Sequence, residues 1–202
     1  MRANYYKCRI QTDLFSCNKV VVLKYIFLLC LVLFSTAASA SQWEDRRINV
    51  GYKLFPSFLA ADTNIKNKKG ADGKLLLIIL YSDKQQVANS LAKELRETGS
   101  VRKISLNVKA VAFKDLDLYK QQKVAGLFFL QKPNSELAPI IDFANRQNAI
   151  IFSPFNGDVE KGICCGFSVT DRVVPYINSA ALKAAKIKLK KFFLRVAKTH
   201  ER

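Results

Sequence analysis

Apolar positions along this chain follow two rhythms, and their alternation predicts the order of its elements. From Arg46 to Ala61, the residues Ile48, Tyr52, Phe55 and Phe58-Leu59 recur at helical spacing, which predicts a buried helix that Pro56 kinks or ends. Residues 64–74 are polar with Gly70 and Gly73 and read as a loop. Leu75 to Tyr81 is continuously apolar, the pattern of a strand buried on both faces of a parallel sheet. Ser82 with Gln85 three residues on signals a capping box, and Val87, Leu91 and Leu95 then mark one helical face as far as Gly99. Ile104 to Phe113 alternates as a second strand, and Leu116 and Tyr119 make a brief helical turn. Val124 to Leu130 is a third strand. Leu137, Ile140, Ile141 and Ala144 give a packed helix with Glu136 in its first turn, and Ala149 to Ser153 is a fourth strand.

The last fifty residues change character. Beyond the Asn156-Gly157-Asp158 turn, alternation places Ile163, Cys165, Phe167 and Val169 on one face, with Cys164, Gly166 and Ser168 on the other. After Thr170-Asp171 a second run, Arg172 to Ile177, completes a hairpin, and Pro175 within it favours a sheet edge because proline cannot donate to a ladder. The tail from Asn178 reads as helix. Its stripe of Leu189, Phe192, Phe193 and Val196 opposes Lys188, Lys190, Lys191, Arg195 and Lys198. Packing on the chain's own sheet is the favoured reading of that stripe, and a membrane-surface or partner helix is the other. Strands alternating with helices predict an α/β fold: a three-layer sandwich with a mostly parallel sheet, a C-terminal edge hairpin and C-terminal helices.

Residues 1–40 stand apart from that pattern. Lys19 and Lys24 precede the apolar core Tyr25 to Phe34, and Ala38-Ser39-Ala40 supplies the small-residue pattern of a cleavage site. Residues 1–40 therefore read as an export signal cleaved after Ala40, with 41–202 as a single domain in the periplasm. The polar lead of residues 1–19 also fits a translation start farther along, near Val20. An uncleaved anchor is disfavoured because the apolar core is about half of the roughly 20 residues that span a bilayer. The whole chain carries a net charge of +17, and removing the net +4 of residues 1–40 leaves +13. A balance this basic commonly signals nucleic acid, but export removes that partner, leaving anionic envelope surfaces or an acidic protein face.

Catalytic chemistry is thinly represented. The sole histidine, His200, lies near the chain end, where ordering is least expected, which argues against a nucleophile–base pair. No G-x-S-x-G, P-loop, dinucleotide fingerprint or zinc spacing occurs, so neither a metal nor a cofactor is expected. In a parallel sheet, ligands approach the carboxyl ends of the strands. That crevice would draw on Ser82, Asp83, Gln131, Lys132, Asn134, Ser153, Asn156 and Asp158, which also read as ordinary turn residues. Cys164 and Cys165 would be the only cysteines after cleavage, and neighbours on a strand point to opposite faces. Two free thiols are expected; labelling that needs prior reduction would indicate instead a vicinal or intermolecular redox pair.

Several segments together resemble the YfiR-like family of small periplasmic regulators. Val50-Gly-Tyr-Lys-Leu-Phe55 with Phe58 resembles its early helix, Gly126-Leu-Phe-Phe129 its middle strand, and Ile151-Phe-Ser153 its serine-ending strand. The closing succession of Gly166, Asp171-Arg172, Ile177-Asn178, Ala180-Ala181, Leu189, Leu194 and Ala197 is similar as well. The resemblance implies a non-enzymatic α/β regulator that restrains an inner-membrane diguanylate cyclase through its periplasmic part, often as a dimer, and so acts in cyclic-di-GMP signalling. The chain departs from the family in having only adjacent cysteines where disulfide-bearing members have spaced ones, and in its Ser153 to Asp158 loop. The family's redox mechanism is therefore not carried over, and the loop suggests a sub-branch. A single-domain solute binder, related to half of a periplasmic binding protein, is the alternative expectation.

Overall fold

Leu75–Tyr81 forms strand β1, and six of its seven side chains are buried, as its unbroken apolar run requires. The computed structural model describes residue 24 and residues 42–97, 99–133 and 136–201. Residues 46–202 form one compact unit, distinct from residues 1–45, and the expected cleavage site at Ala40 lies outside the described residues. Residues 42–61 are helical (α1) and continue through Pro56 without the expected break. A short 3-10 turn, Ile65–Lys68, precedes β1. Helix α2 (Gln85–Glu97), β2 (Ser100–Val101) and β3 (Ile104–Ala112) follow, then a 3-10 turn at Phe113–Tyr119 and β4 (Val124–Phe129). Helix α3 (Ala138–Gln147) and β5 (Ile150–Phe152) complete the alternating part.

The sheet runs β2-β3-β1-β4-β5-β6-β7-β8 among the described residues, with β3, β1, β4, β5 and β6 mutually parallel. Helices cover both of its sides, so the three-layer α/β architecture and the mostly parallel sheet are as the sequence predicts. The β6 (Cys165–Val169) and β7 (Val173–Asn178) hairpin is antiparallel, pairing Val169 with Val173 and Cys165 with Ile177. The chain passes from β1 outward to β3 and then crosses back to β4 on the other side of β1. The crevice between the carboxyl ends of β1 and β4 is therefore the switch point of the sheet.

Aromatic rings hold α1 to the sheet. Phe152 stacks on Phe128 at 5.7 Å between centroids and meets Phe58 edge-on at 5.0 Å, with Phe55 and Phe167 at 5.9 and 6.4 Å. This close approach explains Gly126 on β4, where a Cβ would lie 2.8 Å from Phe55 and 2.9 Å from Leu59. The phenol of Tyr52 donates to the Leu91 carbonyl of α2 at 3.0 Å, and burial, reinforced by Glu94, pushes its pKa up to about 12.

Three expectations are corrected here. Helix α2 begins at Gln85, so Gln85 cannot serve as the third residue of a box capped by Ser82. Of its expected face, Leu95 is buried and Leu91 packs half-buried on the core beside Ala88 and Ala92, while Val87 is exposed. The tail is not one helix. Helix α4 (Ser179–Ala184) stops, an extended segment bridges Leu189 to Asp62, α5 (Lys191–Val196) follows, and β8 (Lys198–His200) pairs parallel to β7. Burying Leu182, Ile187, Leu189 and Phe193 together requires that break, made at Lys186 with φ 54°. The expected stripe accordingly divides: Leu189 and Phe193 are buried, and Phe192 and Val196 are exposed. Because β8 reaches only Tyr176 to Asn178, Pro175 still lies where β7 has a partner on one side alone.

Candidate functional site

The turn after β1 and the turn after β4 meet at the switch point, and one side chain joins them. The Gln131 amide oxygen accepts from the backbone N–H groups of Ser82, Asp83 and Lys84 at 3.0, 3.2 and 3.0 Å. Its Nε2 donates to the Asp83 carboxylate at 2.6 Å. Three N–H groups converging at a helix start form the cradle that an anionic group would occupy in a solute-binding relative of this architecture. Here a neutral amide of the chain itself takes that place. Ser82 and Asp83 therefore come together as expected, but with their backbone donors already engaged.

A second cluster lies at the end of β5. Ser153 is buried, its hydroxyl donates to the Asp158 carboxylate at 2.5 Å, and the Phe155 N–H donates to the same hydroxyl at 3.2 Å. Arg47 reaches over from α1, donating to the Pro154 carbonyl at 2.7 Å while its guanidinium lies 4.3 Å over the Phe167 ring. Lys132 projects from the β4 side, with its ammonium 5.4 Å from the Phe155 ring. The structure thus brings Lys132, Ser153 and Asp158 together and leaves Asn156 exposed on the adjoining turn. Asn134 lies outside the described residues.

Burial raises the Asp158 pKa, opposed by the Ser153 hydrogen bond and by Lys132 and Lys161, with Glu160 adding to the rise. The folded protein therefore holds that proton more tightly than the unfolded chain. Its contribution to stability is complete below the ordinary value of 3.8 and is lost as pH rises through the elevated folded value. Asp158→Asn is expected to flatten that segment of the profile, measured by urea unfolding across acid pH. A variant that tracks the wild type through the window would refute the assignment.

Cys164 and Cys165 are both free and buried. The Cys164 thiol donates to the Ile151 carbonyl at 3.1 Å and accepts the Ile151 N–H at 3.2 Å, standing in for ladder bonds where β5 and β6 pair only at Phe152 and Cys165. Burial, with Cys164 adjacent, raises the Cys165 pKa well above its ordinary value, so this thiol stays protonated and unreactive.

Three features were not anticipated: Arg47, Asn178 and a buried ion pair. Asn178 caps α4 by accepting the Ala181 N–H at 2.9 Å and donates to the Val159 carbonyl at 2.8 Å. An Asn directly before a helix is a capping signal that the sequence does carry. Lys68 and Asp62 pair at 2.5 Å within the interior, and neither charged atom has a further hydrogen-bond partner among the described residues. His200 lies in β8 with its ring edge-on to Tyr176 at 6.5 Å, correcting the expectation of a loose end. No serine, thiol or carboxylate hydrogen-bonds it among the described residues. Among those residues there is also no group of three or more His, Cys, Asp or Glu side chains placed to hold a metal.

No protein-family model and no curated protein matches this chain.

Proposed function

We propose that this protein works by surface recognition in the periplasm, restraining a membrane-bound signalling partner, such as a diguanylate cyclase, through the partner's periplasmic domain. The observation that carries this reading is an exposed apolar ridge. Val169 and Val173 face each other across the hairpin, and Val173 and Val196 line one groove with Arg172 and Arg195. Phe192 lies one helical turn before Val196 on α5. These four are 45%, 44%, 60% and 56% exposed, and a connected apolar surface with a basic border is what a protein partner covers. The export pattern and the resemblance of the closing segment support the compartment and the kind of partner. No helix among the described residues is long and apolar enough to cross a membrane.

Deletion of the gene is expected to change cellular cyclic-di-GMP, and wild-type protein to restore it. Phe192→Asp/Val196→Asp should not restore it while keeping the wild-type unfolding midpoint, since both positions are exposed. Unchanged cyclic-di-GMP on deletion, together with no membrane protein recovered from cross-linked envelope, would refute the reading. The solute-binder alternative at the strand-end crevice is less favoured, because Gln131 already occupies the backbone donors that a solute would need.

A further inference from the structure

At the opposite end of the sheet, beside the amino end of β4, is a cavity of about 420 Å3 whose lining includes Lys68, Lys123, Arg146 and Lys186 and no carboxylate. We infer that this cavity binds a small free solute carrying two or more anionic groups, of the phosphate or carboxylate class. The inference is independent of the partner-recognition reading and concerns different residues.

The four cations come from four separate parts of the chain: the first 3-10 turn, the turn before β4, the end of α3 and the loop after α4. Among the described residues no carboxylate within 4 Å pairs with Lys123, Arg146 or Lys186, and Lys68 alone has a partner, in Asp62. Gathering like charges around one concavity raises the energy of the empty protein, and an anionic ligand removes that cost. The carboxyl end of α3 also borders the cavity, but it contributes about half a negative charge against the three positive ones of Lys123, Arg146 and Lys186, the charge of Lys68 being matched by Asp62.

The walls beside Lys123, Arg146 and Lys186 are held by backbone and amide contacts and do not depend on those three side chains. Gln147 accepts from the Val124 N–H at 3.4 Å and donates to the Lys120 carbonyl at 3.0 Å, fixing the Lys123 turn against α3. Asn148 ends α3 in the left-handed region at φ 52°, and Lys186 turns the chain at φ 54°. The Lys186 turn is closed by the Ile187 N–H donating to the Leu182 carbonyl at 2.9 Å. Arg146 offers a planar fork that matches two oxygens of a phosphate or carboxylate, and the lysines supply point charge around it. The volume suits a solute of pyrophosphate or citrate size and falls within the range of about 300–1,000 Å3 usual for ligand pockets.

Calorimetric titration of the purified protein with pyrophosphate, and separately with citrate, tests this. A saturable single site for either is expected, and the stronger of the two assigns phosphate or carboxylate as the recognised group. Lys123→Gln/Arg146→Gln should weaken that binding at least about tenfold, equivalent to about 1.4 kcal/mol. Lys53→Gln/Lys114→Gln, on exposed positions elsewhere, removes the same charge and should change it by less than about twofold. Thermal midpoints of both variants, read beside the titrations, confirm that each is folded. Absence of saturable heat with both anions up to about 10 mM, or equal weakening by the two double variants, would overturn the inference.

Discussion

Phe152→Ala is expected to lower the unfolding free energy by about 3–5 kcal/mol, the usual cost of emptying a large aromatic site in a core. The side chain is fully buried, and its ring touches rings from α1, β4 and β6 at once, namely Phe55, Phe58, Phe128 and Phe167. Few of these neighbours can relax into the void, since they belong to three different elements and are themselves packed. The loss of edge-on and stacked ring contacts adds to the transfer cost. A total stability of about 5–15 kcal/mol leaves little margin, so Phe152→Leu, which fills more of the space, is the informative companion variant. Urea unfolding should show the midpoint falling with an unchanged slope. Phe192→Ala, at an exposed aromatic, is expected to shift stability by no more than about 0.5 kcal/mol. Equal effects at Phe152 and Phe192 would contradict the placement of the core.

Lys68→Met is expected to cost about 3–5 kcal/mol, because it strands the Asp62 carboxylate, whose side chain is 0% exposed, without its cation. Asp62 keeps the Asn64 N–H at 2.9 Å, but one neutral donor does not replace an ammonium at 2.5 Å. The double variant Asp62→Leu/Lys68→Met removes both charges and should recover most of the loss, as replacing a buried pair by apolar groups commonly does. Denaturant midpoints of the three variants form a double-mutant cycle. A double variant no better than Lys68→Met would mean that the pair holds the segment through contacts other than mutual charge.

How much of this was legible follows from what each element depends on. Strands β1, β4 and β5 are continuous apolar runs because parallel strands are buried on both faces, and burial alone imposes that pattern. Strand β8, Lys-Thr-His, carries no such signal, since its existence depends on the backbone of β7 being free alongside it. The lysine-rich tail has helical periodicity throughout, yet four apolar side chains can reach the core only if the helix breaks. Asp62 and Lys68 flank a stretch as polar as any surface loop, and only the folding of α1 against the tail buries them. Among the crevice residues, Ser82, Asp83, Lys132, Ser153 and Asp158 were recognisable from their places after strands. Gln131 was recognisable there too, but not that its side chain fills the crevice, because that role exists only once β1 and β4 are neighbours.

That glutamine has a mechanical consequence. Residues 48 apart in sequence are riveted across the mouth of the sheet by a single amide, so the two rims cannot part like a hinge without rupturing four contacts together. Rigid at that mouth, the molecule is built to present its outer contours unchanged.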